Sequence, residues 1–550
     1  MKSYIAALPV LAVALALVAC ERRKEDKPPP PPEPQTAVTT QAAAGPEHAH
    51  LPPGIDWFGG DVDAAFAAAR TANKPVFLYW GAEWCPPCAR VKSTIFNKRE
   101  FQERSRLFVP VYLDGDTPSA QKHGEQFGVV GYPTMILFRP DGTEITRLPG
   151  DVDIARYSTI LDVALADARP VREIIAAATG GADVPANDWR LLAYYSWGTD
   201  NGRALPEDAR LAALRKLVQR CPAELPAECS RLFFSYAVAA EAASKPGHPA
   251  LDGLERADSR RKLLTLLASP VVQAANVDHL LYYPDDVIQA LSRDGSSERK
   301  DLTRAWNAAL DALSAPSALV QLNPPEQLNV VRVRIVLAKL DAGDKAPVPA
   351  ALLDEARQTV AKFDAATTDP YMRQAVINAA ANLYWEAGLD DESNKLLTAE
   401  LGKTASPYYF MLDLADLAQK SGRKQEAVQW LARAYETARG PATRFQWGYN
   451  YLVGLLEMTP EDTRTIERAG LSVLGELDGS PDAFYQRTRM RLEQLNAKLL
   501  DWGKQGEAAK VIETLRERTQ EICRKLPAND PGRHSCEKFL TPSAKATRSA

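Results

Sequence analysis

The chain has 550 residues, more than one hydrophobic core usually organises, and its length predicts two folded domains. Its 66 Lys and Arg against 70 Asp and Glu leave a net charge of −4, which gives no electrostatic ground for nucleic-acid binding. The sequence carries no phosphate-binding glycine loop, Ser-His-Asp order, HExxH pair or flavin or nicotinamide fingerprint. Those chemistries are without support, and neither a cofactor nor a metal is expected.

Lys2 precedes an apolar run from Tyr4 to Ala19 that is short for a membrane span, so residues 1–19 are expected to be a signal peptide. The run ends in Leu17-Val18-Ala19-Cys20, which resembles a bacterial lipobox. That resemblance implies cleavage before Cys20, lipidation of its sulfur and an envelope protein facing the periplasm; an uncleaved anchor helix is the alternative. Glu21 stands where an aspartate would signal inner-membrane retention, which tilts the expectation toward the outer membrane. Residues 20–55 then form an anchor and tether. The run Pro28 to Pro32 is stiff, rising about 3.1 Å per residue as polyproline II, and the rest is too polar to fold. His48 and His50 in this stretch are solvated residues rather than ligands.

The next segment alternates helix and strand. Asp61 is placed to cap an amphipathic helix that begins over Asp61 to Phe66, Val76 to Trp80 reads as a buried strand, and a helix runs from Cys85 toward Phe96. Phe108 to Leu113 is a strand, Ser119 to Phe127 a helix, and Met135–Phe138 with Glu144–Leu148 a hairpin around Pro140-Asp141-Gly142. A helix from Val152 to Ala166 closes the unit. This order predicts an α/β fold with a mixed sheet and a site at a strand's carboxyl end.

The chemistry sits in Trp84-Cys85-Pro86-Pro87-Cys88. A strand that delivers a cysteine to a helix start surrounds it with unpaired N–H groups, which favour thiolate over thiol. Cys85 is therefore the expected nucleophile, and Cys88, one turn on, is placed to resolve a mixed disulfide. Two cysteines at this spacing also match half of a zinc site, though no second CxxC or nearby histidine pair completes one.

Together with Gly131-Tyr132-Pro133-Thr134, this motif resembles the thioredoxin superfamily over about residues 56–168. Lys74-Pro75-Val76, Glu83-Trp84-Cys85 and Thr94-Ile95-Phe96 are similar to its periplasmic thiol–disulfide reductase branch. The resemblance implies a cis Pro133 against Cys85 and a substrate site formed by Trp84, Tyr132, Pro133 and Thr134. Two positions depart from the pattern. Tyr79 replaces a buried aspartate, and Lys92 stands where reducing relatives often have glutamate; Glu83 remains as a nearby carboxylate.

From 185 to 540 the chain turns to Ala/Leu-rich helical periodicity. Gly388, Gly422 and Gly503, each followed four residues later by glutamate, read as joints between helices, and the first two lie at the period of a tetratricopeptide repeat. The expected fold class is thus a thioredoxin-like α/β domain followed by an all-α, tetratricopeptide-like solenoid, with a tail over 541–550. Phe445, Trp447, Tyr449 and Tyr451 are core aromatics or a groove lining, and His123, His248, His279 and His534 surface or capping residues. Cys221 with Cys229 and Cys523 with Cys536 form two local pairs, expected as disulfide staples in an oxidising compartment.

These readings predict a membrane-tethered oxidoreductase acting on protein disulfides, with Pro-Pro between the cysteines favouring reduction or interchange over oxidation. It would draw electrons from a membrane donor. The competing expectation is an envelope scaffold whose helical part binds a protein partner, the redox domain being a docking or sensing module.

Overall fold

The computed structural model describes residues 51–541 apart from 167, 246–247, 343–346 and 505. The signal peptide, Cys20, His48, His50, most of the tether and nearly all of the tail lie outside the described residues.

Four strands make one mixed sheet in the order β2-β1-β3-β4: β1 is Val76–Gly81, β2 Val109–Asp114, β3 Thr134–Phe138 and β4 Glu144–Leu148. β1 runs parallel to β2, with Tyr79 opposite Tyr112, and antiparallel to β3, with Trp80 opposite Thr134. All of β1 is buried, which suits a central strand of aromatic and branched side chains covered on both faces. Its two-residue alternation divides the core. Val76, Leu78 and Trp80 face one side with Phe66 and Phe127, and Phe77 and Tyr79 face the other with Val91, Phe96 and Tyr157.

Five helices cover the sheet: α1 Val62–Ala72, α2 Pro86–Val91, α3 Arg99–Arg104, α4 Pro118–Gln126 and α5 Ile154–Leu165. Asp61 caps α1, its Oδ1 accepting the Ala64 N–H at 2.7 Å. The active-site helix differs from expectation: α2 ends at Val91 and the chain widens into a π-helical turn over Lys92–Phe96. α3 was not expected, being six residues with a single buried side chain, Phe101. The end of the expected tether also belongs to the folded body. Leu51 and Ile55 are buried with Trp57, and Gln102 Nε2 donates to the Pro53 carbonyl at 3.0 Å. Apolar side chains at those two positions suffice to dock it.

Helix begins again at Val171–Gly180, ahead of the expected start at 185, and the described chain beyond is all-α apart from an isolated bridge between Lys245 and His248. Successive helices pack on one another, as Pro407–Lys420, Lys424–Thr437 and Pro441–Met458 do. The approach is close at Gly454, where a Cβ would lie 2.3 Å from Leu431. Gly388 and Gly422 take left-handed φ of 71° and 75° at their joints; near Gly503 that role passes to Gly506, φ 65°. No described helix is long and apolar enough to cross a membrane.

The α/β and helical parts share one core. The buried Arg147 of β4 donates from Nη1 to the Thr199 carbonyl at 2.6 Å, and Ser196 N–H returns a bond to the Arg147 carbonyl at 3.0 Å. His279 is a correction to the expected surface histidines: it is buried, its ring stacked on Phe234 and its Nδ1 3.4 Å from Asp278 Oδ1. Asp278 in turn pairs with the buried Arg231 at 2.7 Å. Contacts across helices, invisible to local periodicity, put it there.

Candidate active site

After β1 a short turn places Cys85 at the N-cap of α2 in extended conformation, its Sγ accepting the Cys88 N–H at 3.1 Å. Pro86 and Pro87 occupy first-turn positions whose N–H groups have no helical partner to lose. The Cys85 and Cys88 sulfurs are bonded to each other, with Cα atoms 5.2 Å apart. Both are enclosed: Cys85 is 2% exposed and Cys88 0%.

The enclosure comes from Trp84 and from the helical part of the chain. Trp84 Nε1 donates to Asp116 Oδ1 at 2.9 Å and to Thr443 Oγ1 at 3.1 Å, while its carbonyl accepts from Gln374 Nε2 at 2.9 Å. Its ring meets Trp447 edge-on at 4.7 Å, Tyr132 at 5.5 Å and Tyr409 at 6.1 Å, with the Arg487 guanidinium 5.6 Å away. The face beside Cys85 is thus roofed by four helices, Pro370–Ala387, Pro407–Lys420, Pro441–Met458 and Gln486–Trp502. Phe445, Trp447 and Tyr449 are core residues, and Trp447 is also the one that packs on Trp84.

At the neighbouring strand, the Tyr132–Pro133 peptide bond is cis. Tyr132 Oη donates to the Gly115 carbonyl at 3.2 Å, and a Cβ at Gly115 would sit 2.2 Å from that oxygen, so the close approach requires glycine. Thr134, buried at the start of β3, donates its hydroxyl to the Gly131 carbonyl at 2.8 Å. Trp84, Cys85 and Cys88 therefore gather at the carboxyl end of β1, and Tyr132 to Thr134 at the adjoining end of β3.

Several ionisable groups surround this corner. Asp116 is pushed up to about 8 by burial and by the charge of Asp114, with the Trp84 N–H pulling the other way. Burial likewise raises Asp114. Lys92 is pushed down to about 8 by burial, against the attraction of Glu83, Asp114 and Asp116. Burial raises Tyr79 too, with Asp114 adding to it. Glu83 is exposed. Asp114 and Asp116 escaped the sequence reading, although an Asp-Gly-Asp ending the strand beside β1 was a usable signal. Gln374, Tyr409, Thr443 and Arg487 lay some 290 to 400 residues away with none, and Trp447 carried only its reading as a core or groove aromatic.

The other two cysteine pairs lie between helix ends. Cys221 and Cys229 are bonded where Glu207–Arg220 meets Pro226–Ala243, and Cys523 and Cys536 where Gly506–Arg524 meets Pro531–Glu537.

A disulfide three residues apart, set at a strand-to-helix turn of a β2-β1-β3-β4 sheet, marks a thioredoxin-like redox domain with thiol–disulfide oxidoreductase chemistry. A family model described as the thioredoxin-like domain matches residues 62–165. The thioredoxin of Mycobacterium bovis is 37% identical over 90 residues, 16% of this chain and 72% of that protein. The chain belongs to the thioredoxin family through this domain. It is also 31% identical over 98 residues to the thiol:disulfide interchange protein DsbD 1 of Pseudomonas aeruginosa, 17% of each chain. Over 85 residues it is 36% identical to the bifunctional thioredoxin reductase/thioredoxin of Mycobacterium leprae, 16% of this chain and 18% of that one. The chain therefore spans less than a fifth of the length of these two relatives.

Proposed function

We propose that the protein is a lipid-anchored, periplasm-facing thiol–disulfide oxidoreductase that reduces or interchanges protein disulfides. In this reading the Cys85 thiolate attacks a substrate disulfide and one substrate thiolate leaves. Cys88 then attacks the Cys85 sulfur, closing the Cys85–Cys88 bond and freeing the second thiolate. Trp84, Tyr132, Pro133 and Thr134 border the reacting sulfur, a dithiol donor at the membrane restores the pair, and Cys20 carries the lipid. The helical part is a tetratricopeptide-like solenoid that presents partners. The observation that carries the reading is the Cys85–Cys88 bond at the head of α2, capped by the Cys88 N–H. Equilibrating the full chain against dithiothreitol and glutathione buffers tests it. A potential near the roughly −270 mV of thioredoxin supports reduction, and one near the roughly −120 mV of strong oxidants reverses the direction.

The enclosure of the pair favours a second reading, an envelope scaffold in which the redox domain docks or senses. Cys85→Ser with Cys88→Ser separates the two: an enzyme loses its cellular phenotype, whereas a scaffold keeps it.

A further inference from the structure

Lys92 is the one fully buried lysine among the described residues, 1% exposed. It stands four residues after Cys88, where α2 gives way to the π-helical turn, so the two side chains lie one turn apart on the same side of the helix. Buried lysines are rare and usually paired. This ammonium makes no ion pair among the described residues; from the helical part the Tyr371 ring faces it, with the centroid 5.6 Å away. The charged groups that act on it are Glu83 before Cys85, Asp114 at the end of β2 and Asp116 just beyond it. Glu83 is exposed, and burial raises both aspartates. Burial prevails over all three and brings the lysine down to about 8, where amine and ammonium are both populated in the working range. A solvated lysine, at about 10.4, would stay charged there.

We propose that Lys92 holds the proton that Cys88 must give up before it resolves the mixed disulfide. This rests on the redox reading above. The Cys88 thiol passes its proton to the Lys92 amine, and the resulting thiolate attacks the Cys85 sulfur. The Cys85–Cys88 bond forms as the bond between Cys85 and the substrate breaks, and the departing substrate thiolate takes the proton from the ammonium. Two electrons move from the dithiol to the substrate, and no proton is left over. Lys92 exchanges this proton directly with the reacting sulfurs, as the general acid–base of that step.

The test uses the reduced full chain and the aromatic disulfide dithiobis(nitrobenzoate). Attack by Cys85 releases the first thionitrobenzoate and resolution by Cys88 the second, so stopped flow reads the second phase from pH 6 to 10. In the unaltered protein the second phase should rise with a midpoint near pH 8. Lys92→Met should move the midpoint by more than one pH unit upward and slow the phase at least tenfold at pH 7.5. Lys92→Arg keeps a charge but cannot release a proton in this range, and should slow the phase as well. An unchanged midpoint and rate in Lys92→Arg, or in a folded Lys92→Met, overturns the proposal. If the unaltered chain releases no thionitrobenzoate at any pH, the redox reading fails and takes this one with it; release with an unshifted profile in the variants defeats this one alone.

Discussion

Among the described residues one disulfide lies at a strand-to-helix turn and two at helix ends, and exposure alone does not tell them apart. Cys85 and Cys88 are as buried as Cys523 and Cys536, whereas Cys221 and Cys229 are half-exposed. What differs is the company. Around Cys85 and Cys88 stand a backbone N–H aimed at sulfur, an indole held by Asp116 and Thr443, and ionisable groups displaced from their usual ranges. The other two pairs clasp successive helices. A bond that must open needs groups that stabilise its open form, while a staple needs only the geometry of its closed form.

The strongest way to break this comparison is to remove each pair in turn. Cys85→Ser with Cys88→Ser should abolish disulfide exchange with little change in thermal stability. Cys523→Ser with Cys536→Ser should leave exchange intact and cost about 3 kcal/mol in denaturant unfolding, the loop-entropy figure for a closure of this size. A reversal of those two outcomes would defeat the distinction. Next in size, Trp447→Ala unpacks Trp84 from its roof. It should cost roughly 3–5 kcal/mol as a core truncation and speed iodoacetamide labelling of reduced Cys85 several-fold, read by mass spectrometry.

The smallest effect sharpens the electrostatic side. The folded-state value of Lys92 lies below its unfolded value, so the native state binds fewer protons than the unfolded chain between about pH 8 and 10.5. The penalty for burying the ammonium is therefore complete below pH 8 and fades as pH rises through that window. Lys92→Met should be stabilising at pH 7, by up to about 3 kcal/mol, and its advantage should shrink toward pH 10.5 in melts across that range.

Local chemistry made much of the α/β domain legible before its coordinates. Asp61 announced a cap, Val76 to Trp80 a buried strand, and Pro140-Asp141-Gly142 a turn, because each depends on neighbours within a few residues. The break of the active-site helix at Lys92 was not legible, since nothing in Lys-Ser-Thr-Ile-Phe distinguishes a π-helical turn from an α-helical one. The roof over Trp84 was hidden for a different reason. Gln374, Thr443 and Trp447 are ordinary helix residues, and only the tertiary arrangement brings them to the reacting corner. His279 escaped in the same way.

The bond from Gln374 to the Trp84 carbonyl and the Trp84–Trp447 contact join two stretches of one polypeptide. Their encounter is intramolecular, with an effective concentration set by the chain and not by how much protein is present. Dilution therefore leaves the disulfide as sheltered as before. A visiting protein must compete against a tethered neighbour that never diffuses away, whereas a small thiol needs only a passage its own width.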